Sequence, residues 1–241
     1  MKSFPDSVRR FQTAFSRSRR CSTATWLAVF AGLVPVAAHA QATLTWNGGG
    51  GDNNWTTAAN WGGTAPVAGD LLVFSGTTRP SNTNDFAAAT TFASITLSQG
   101  GFTLAGNDLQ LSAAGTKLAT TGTNTISLDL AASSGPMSIV NNTGTLTISG
   151  GISGSNGLSK NGGGRLLLSG TNTYSGDTIL LNNNLRSGVL DALPTTTVLK
   201  FGNTANDRRL QLQGNDQTIA GLDSSDATGG ILIVESASDN F

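Results

Sequence analysis

Residues 147–181 read TISGGISGSNGLSKNGGGRLLLSGTNTYSGDTILL. Leu166 and Leu168 stand two apart, and Ile148 and Ile152 four apart, in short runs bounded by glycine. Apolar residues at a period of two mark short strands with one buried face. Gly150, Gly157, Gly164, Gly170 and Gly176 recur every six or seven residues. That rhythm predicts positive φ at each corner where a strand turns. A segment this short cannot close a core alone, so it is expected to stack on copies of itself.

The same rhythm runs outward on both sides. Ile95 and Leu97, Phe102 and Leu104, Leu109 and Leu111, Ile126, Leu128 and Leu130, and Leu146 and Ile148 each sit two apart, with Gly-containing corners between. Downstream it continues through Ser187 to Leu193, Val198 to Phe201, Leu210 and Leu212, Ile219 and Leu222, and Ile231 and Ile233. Residues 76–90 are polar, with Arg79-Pro80-Ser81-Asn82 expected as a turn, and Asp207-Arg208-Arg209 is expected as a solvated corner. No helical period is visible after residue 40. Uneven spacing between strand pairs favours a coil with variable corners over a uniform hairpin barrel.

From Gly157 to Thr178 the chain resembles the autotransporter-associated β-strand repeat (passenger-associated transport repeat), whose pattern is G-L-T-K-x-G-x-G-x-L-x-L-x-G-x-N-x-Y-x-G-x-T. The matching positions are Gly157, Leu158, Lys160, Gly162, Gly164, Leu166, Leu168, Gly170, Asn172, Tyr174, Gly176 and Thr178. Arg165 departs from the usual small residue, and Asn182 to Asn184 replace the Gly that precedes the next Leu, here Leu185. Asn tolerates the left-handed region better than most side chains, so the turn is expected to survive. Rhythm and resemblance together lead to an all-β fold, a right-handed parallel β-helix (β-solenoid). The resemblance implies the N-terminal part of a secreted bacterial passenger domain, folding coil by coil outside the cell. It also implies an outer-membrane translocator or anchor as partner, with the repeats truncated at the C-terminus.

Residues 1–40 stand apart. Arg9, Arg10, Arg17, Arg19 and Arg20 make a basic start, Ala24 to Ala38 is apolar, and Ala38-His39-Ala40 has the A-x-A form of a cleavage site. The apolar run is shorter than the roughly 20 residues needed to span a bilayer. Residues 1–40 are therefore read as a signal peptide. Residues 41–90 are read as an N-terminal capping segment, and 91–241 as β-helical repeats. The expected location is outside the cell or on the surface of a Gram-negative bacterium.

Cleavage would remove six of the 14 Lys and Arg residues and one of the 14 Asp and Glu, leaving a net charge of −5. An acidic chain with no basic run argues against nucleic acid as a partner. The one Cys and the one His lie before residue 41 as well. Nucleophilic triads that need His, and zinc sites built on His or Cys, are thereby excluded. No catalytic residue, metal ligand or cofactor is expected, and the chain is read as a non-enzyme. Asp177 with Arg165 is the nearest imitation of a polysaccharide-lyase site, which keeps a β-helical lyase or hydrolase as a remote alternative.

Three of the four tryptophans, Trp46, Trp55 and Trp61, crowd together just after the expected cleavage site. A solenoid's first coil exposes its core, and bulky rings suit a cap. The alternative is a glycan-stacking platform, making the protein a carbohydrate-binding or adhesive module with surface glycans as partners. The Gly48–Gly51 run before Asp52 is a flexible turn rather than a calcium or phosphate loop. In the repeat, Lys160 is expected to be solvated and Tyr174 to pack a corner.

Overall fold

The computed structural model describes residues 40–202, 206–224 and 232–235; the expected signal peptide lies outside the described residues. The described residues from Ala40 onward form an all-β solenoid, and every strand pair among them is parallel. No α-helix occurs among the described residues; a 3-10 turn spans Ala58–Trp61. After β1 (Thr43–Trp46), the first full coil is β2 (Leu71–Phe74), β3 (Ser81–Asn84) and β4 (Thr90–Phe92). It is followed by β5 (Ser94–Leu97), β6 (Thr103–Gly106) and β7 (Leu109–Leu111), then by β8 (Leu118–Thr120), β9 (Asn124–Ile126) and β10 (Leu130–Ala132). The next coil is β11 (Met137–Asn141), β12 (Thr145–Ile148) and β13 (Ile152–Ser153). Later coils keep two strands: β14 (Leu158–Asn161) and β15 (Arg165–Leu168), β16 (Thr178–Leu180) and β17 (Asn183–Ser187), β18 (Val198–Phe201) and β19 (Arg208–Gln211), β20 (Gly221–Asp223) and β21 (Leu232–Glu235).

The strands form three sheets, here A, B and C. Sheet A stacks β1-β2-β5-β8-β11-β14-β16-β18-β20, sheet B stacks β3-β6-β9-β12-β15-β17-β19-β21, and sheet C stacks β4-β7-β10-β13. Register sets the coil length. Leu71 lies beside Ser94 and Leu158 beside Thr178, so the coil is slightly shorter at the repeat than near the start. Inward positions of successive coils thus stack into ladders. One ladder in sheet A runs Leu72, Ile95, Leu118, Ile139, Lys160, Leu180, Phe201. One in sheet B runs Leu104, Ile126, Ile148, Leu168. These side chains are buried, and apolar area removed from water stabilises by about 25 cal/mol per Å².

Two segments differ from the sequence expectation. Ser81 and Asn82, expected in a turn with Arg79 and Pro80, open strand β3. It contains no apolar residue, yet Asn82 aligns with Leu104 and faces inward. The Asn82 oxygen accepts the Trp55 indole N–H at 2.7 Å, and the Asn84 amide donates to the Asn107 carbonyl at 2.7 Å. Paired amides can be buried where unpaired ones cannot. The corner before β19 differs too: Arg208 is fully buried and donates through Nη1 to the Gly202 carbonyl, while Asp207 is exposed.

The glycine rhythm has a different cause from the one expected. None of Gly150, Gly157, Gly164, Gly170 and Gly176 has positive φ. A Cβ on Gly157 would overlap the Asp177 carbonyl of the next coil, and one on Gly170 the Gly150 carbonyl of the previous coil. Gly150, Gly157, Gly170 and Gly176 are Gly because neighbouring backbones touch there, and Gly164 because the Asn141 side chain fills the space. Asn183, by contrast, has φ of 56°, the left-handed turn expected of the Asn182–Asn184 run.

Candidate functional site

The tryptophans form the inside of the first coil. Trp46 and Trp55 are fully buried and Trp61 is 5% exposed. All three rings surround Phe74, with centroids 6.0, 5.2 and 5.4 Å from it. Their indole N–H groups are used internally: Trp46 donates to the Arg79 carbonyl at 3.2 Å and Trp61 to the Trp55 carbonyl at 2.7 Å. The glycan contact considered for Trp46, Trp55 and Trp61 is therefore corrected. No ring face is open to a sugar, because the indoles themselves fill the interior of the first described coil.

The repeat residues build corners. Lys160, expected in solvent, is fully buried, on the same face of β14 as the inward Leu158. Its ammonium donates to the carbonyls of Gly162 at 2.7 Å, Gly164 at 2.6 Å and Asn182 at 2.7 Å. Burial pushes its pKa down to about 7. Three acceptors match the three donors of an ammonium, which is how a cation can sit in an otherwise apolar ladder. One coil earlier Asn141 occupies the equivalent corner. Its amide donates to the carbonyls of Arg165 at 2.7 Å and Gly144 at 3.3 Å, and its oxygen accepts from Thr120 at 2.7 Å.

Asn172 links three coils. Its oxygen accepts the Ile152 N–H at 2.7 Å, and its amide donates to the Gly170 carbonyl at 3.2 Å and the Ala192 carbonyl at 2.6 Å. Tyr174 is buried with its hydroxyl 2.7 Å from that of Thr178, which is 3.0 Å from that of Thr197. Burial raises the Tyr174 pKa, so the phenol stays neutral. Leu166 and Leu168 are fully buried, and Gly162 has a φ of 83° beside the Asn141 carbonyl.

Asp177 and Arg165 do not form a site together. Asp177 stands before β16 in sheet A and pairs with Lys200 at 2.8 Å, whereas Arg165 begins β15 in sheet B. Among the described residues no group of three or more His, Cys, Asp or Glu is placed to hold a metal ion.

Open polar space lies instead where sheet A turns into sheet B. A cleft of about 390 Å³ is lined by Arg165, Asn182, Asn183, Asn184, Asp207 and Arg209, among others. A second, of about 270 Å³, shares Arg165 and Asn183 and extends to Gly144 and Thr145. Sequence reasoning did not mark Arg209 and the asparagines as a site. The one available signal was Arg165 standing where the repeat carries a small residue.

No family model, curated protein or solved structure matches the chain. The resemblance to the autotransporter-associated repeat thus rests on the residues quoted above.

Proposed function

We propose that the chain is a non-catalytic, β-helical passenger segment that is exported, cleaved near Ala40, and displayed or released outside a Gram-negative cell. The observation that carries this reading is how each coil is completed by the next. Lys160 reaches the Asn182 carbonyl, Asn172 the Ala192 carbonyl, and Asn141 the Arg165 carbonyl. Such a chain can add coils one at a time as it emerges, each new coil closing the corner of the last. Cohesion through ladders and corner posts needs no disulfide, and residues 41–241 contain no Cys. The role is that of a stalk supporting export and surface display, with an outer-membrane translocator or anchor as its partner.

The test is expression of the full chain in a Gram-negative host. The expected result is a mature N-terminus at Gln41 by mass spectrometry, with the protein in the medium or digested by protease on intact cells. An unprocessed chain beginning at Met1 and retained in the cytoplasm would overturn the proposal.

A further inference from the structure

The two clefts at the A–B corner share Arg165 and Asn183, so they form one groove crossing four successive coils, from Thr145 through Arg165 and Asn183 to Arg209. At ~4.8 Å per coil the groove is roughly 14 Å long and runs across the strands. Register fixes its two cations: Asn184 lies beside Arg209, and Leu166 beside Leu185, so Arg165 is two coils from Arg209, ~10 Å away. We propose that this groove binds a linear acidic oligosaccharide, with uronate carboxylates on Arg165 and Arg209 and sugar hydroxyls on the half-buried Asn182 and Asn183 side chains beside them.

Three observations carry this. The first is charge segregation. Residues 41–241 have a net charge of −5, yet two of their eight cations, Arg165 and Arg209, line this groove, while Lys160 and Arg208 are buried and Lys200 pairs with Asp177 in sheet A. In the larger cleft two Arg face a single carboxylate, Asp207. The second is the lining chemistry. Guanidinium forks suit carboxylates, amides suit hydroxyls, and no aromatic ring lines either cleft. Without aromatic rings there is no platform for stacking nucleic-acid bases. The third is a fixed backbone. The Asn183 N–H donates to the Asp207 carbonyl at 2.8 Å, the Asn183 amide to the Gly163 carbonyl, and the Asn184 N–H to the Asn183 side-chain oxygen at 2.7 Å. The groove is preorganised, so little ordering is needed on binding.

The test is titration of the processed protein with a galacturonate hexamer, a neutral maltohexaose and a single-stranded DNA hexamer at low salt. The expected result is saturable binding of the galacturonate hexamer that weakens with salt, and no binding of the other two. Arg165→Ala with Arg209→Ala should weaken binding at least tenfold. Asn182→Asp, which adds a negative charge to the groove while keeping both arginines, should weaken it several-fold. Lys200→Ala, which removes a positive charge from sheet A instead, should leave it unchanged. Absence of saturable galacturonate binding, equal binding of DNA, or equal loss in Lys200→Ala would overturn the proposal. If the double variant fails to melt like the wild type, Asn182→Asp decides, and unchanged affinity there overturns it.

Discussion

The Lys160 ammonium donates at 2.7 Å to the carbonyl of Asn182, a residue of the next coil. Two further carbonyls, of Gly162 and Gly164, complete its shell, so one side chain closes its own corner and pins the following one. Lys160→Met keeps most of the volume but removes every donor. Leaving buried acceptors without donors costs about 1–3 kcal/mol each when water cannot replace them. The expected loss is about 3 kcal/mol, read from urea unfolding. Lys200→Met, which breaks the half-exposed pair with Asp177, should change stability by less than about 1 kcal/mol.

Lys160 also makes stability depend on pH. Burial takes its pKa from 10.5 to about 7. Between those values the unfolded chain holds the proton and the folded chain has released it, so a rise in pH stabilises the fold. The slope is at most about 1.4 kcal/mol per pH unit. Below pH 7 both states are protonated and the contribution is flat. The raised pKa of Tyr174 acts oppositely above pH 10, where only the unfolded chain ionises. Unfolding at pH 7 to 9.5 should therefore show the gap between wild type and Lys160→Met changing with pH in favour of the wild type. A constant gap would show that the three carbonyls keep the ammonium charged throughout.

Period-two alternation made the strands around Leu166 and Leu168 legible, because each inward position there is apolar. The same parity put Lys160 on the face of Leu158, but its residue type argued for solvent, and a carbonyl shell drawn from two coils leaves no local trace. Strand β3 was hidden for the converse reason: Asn82 and Asn84 are inward, yet a polar run reads as a turn. The groove at the A–B corner joins Thr145, Arg165, Asn183 and Arg209 through register, which one sequence shows only once coil length is known. Trp46, Trp55 and Trp61 were legible as a cluster, but whether their faces pointed in or out depended on a coil boundary the sequence does not mark.

Glycine at close approach gives a sharp contrast. At Gly157 a Cβ would overlap the Asp177 carbonyl one coil away, so Gly157→Ala must push two coils apart. Overpacking of a ladder costs about 1–3 kcal/mol, and backbone overlap puts this case at or above the upper end. At Gly51 a Cβ would meet nothing within 4 Å, and its φ is not positive. Gly51→Ala should be neutral or stabilising by up to about 1 kcal/mol through the unfolded chain. Thermal melts of the two variants check the difference.

The Asn172 amide faces the carbonyls of Gly170 and Ala192, while its oxygen accepts from Ile152. Asn172→Asp keeps the shape and the acceptor but sets a buried carboxylate against two carbonyl oxygens. Its pKa should rise well above the usual carboxylate range, because only the protonated acid can donate. Between its unfolded and folded pKa values the folded state holds the extra proton, so the variant gains stability as pH falls. At pH 7 it should be less stable than wild type by about 3 kcal/mol or more, and partly recover toward pH 4. Urea unfolding at the two pH values measures this. Equal loss at both would mean that the two carbonyls have turned away from the new side chain.

The tryptophans provide a test of how locally the fold is held. The proposed processing at Ala40 would remove Trp26 and leave a chain with three tryptophans, all buried. Its fluorescence should be blue-shifted, poorly quenched by acrylamide, and unchanged by sugars. Truncating Trp55 removes a ring packed on Phe74 and Phe92 at 5.2 and 6.3 Å, together with the donor to Asn82. A buried Trp→Ala change costs about 3–5 kcal/mol. In a solenoid each coil contacts its neighbours, so the loss should stay near the altered end. Hydrogen exchange on Trp55→Ala should then show faster exchange in β1, β2 and β3 and wild-type protection in β14 and β15. Uniformly faster exchange through all these strands would show that the coils unfold as one unit, and that the first coil holds the whole rod rather than only its own end.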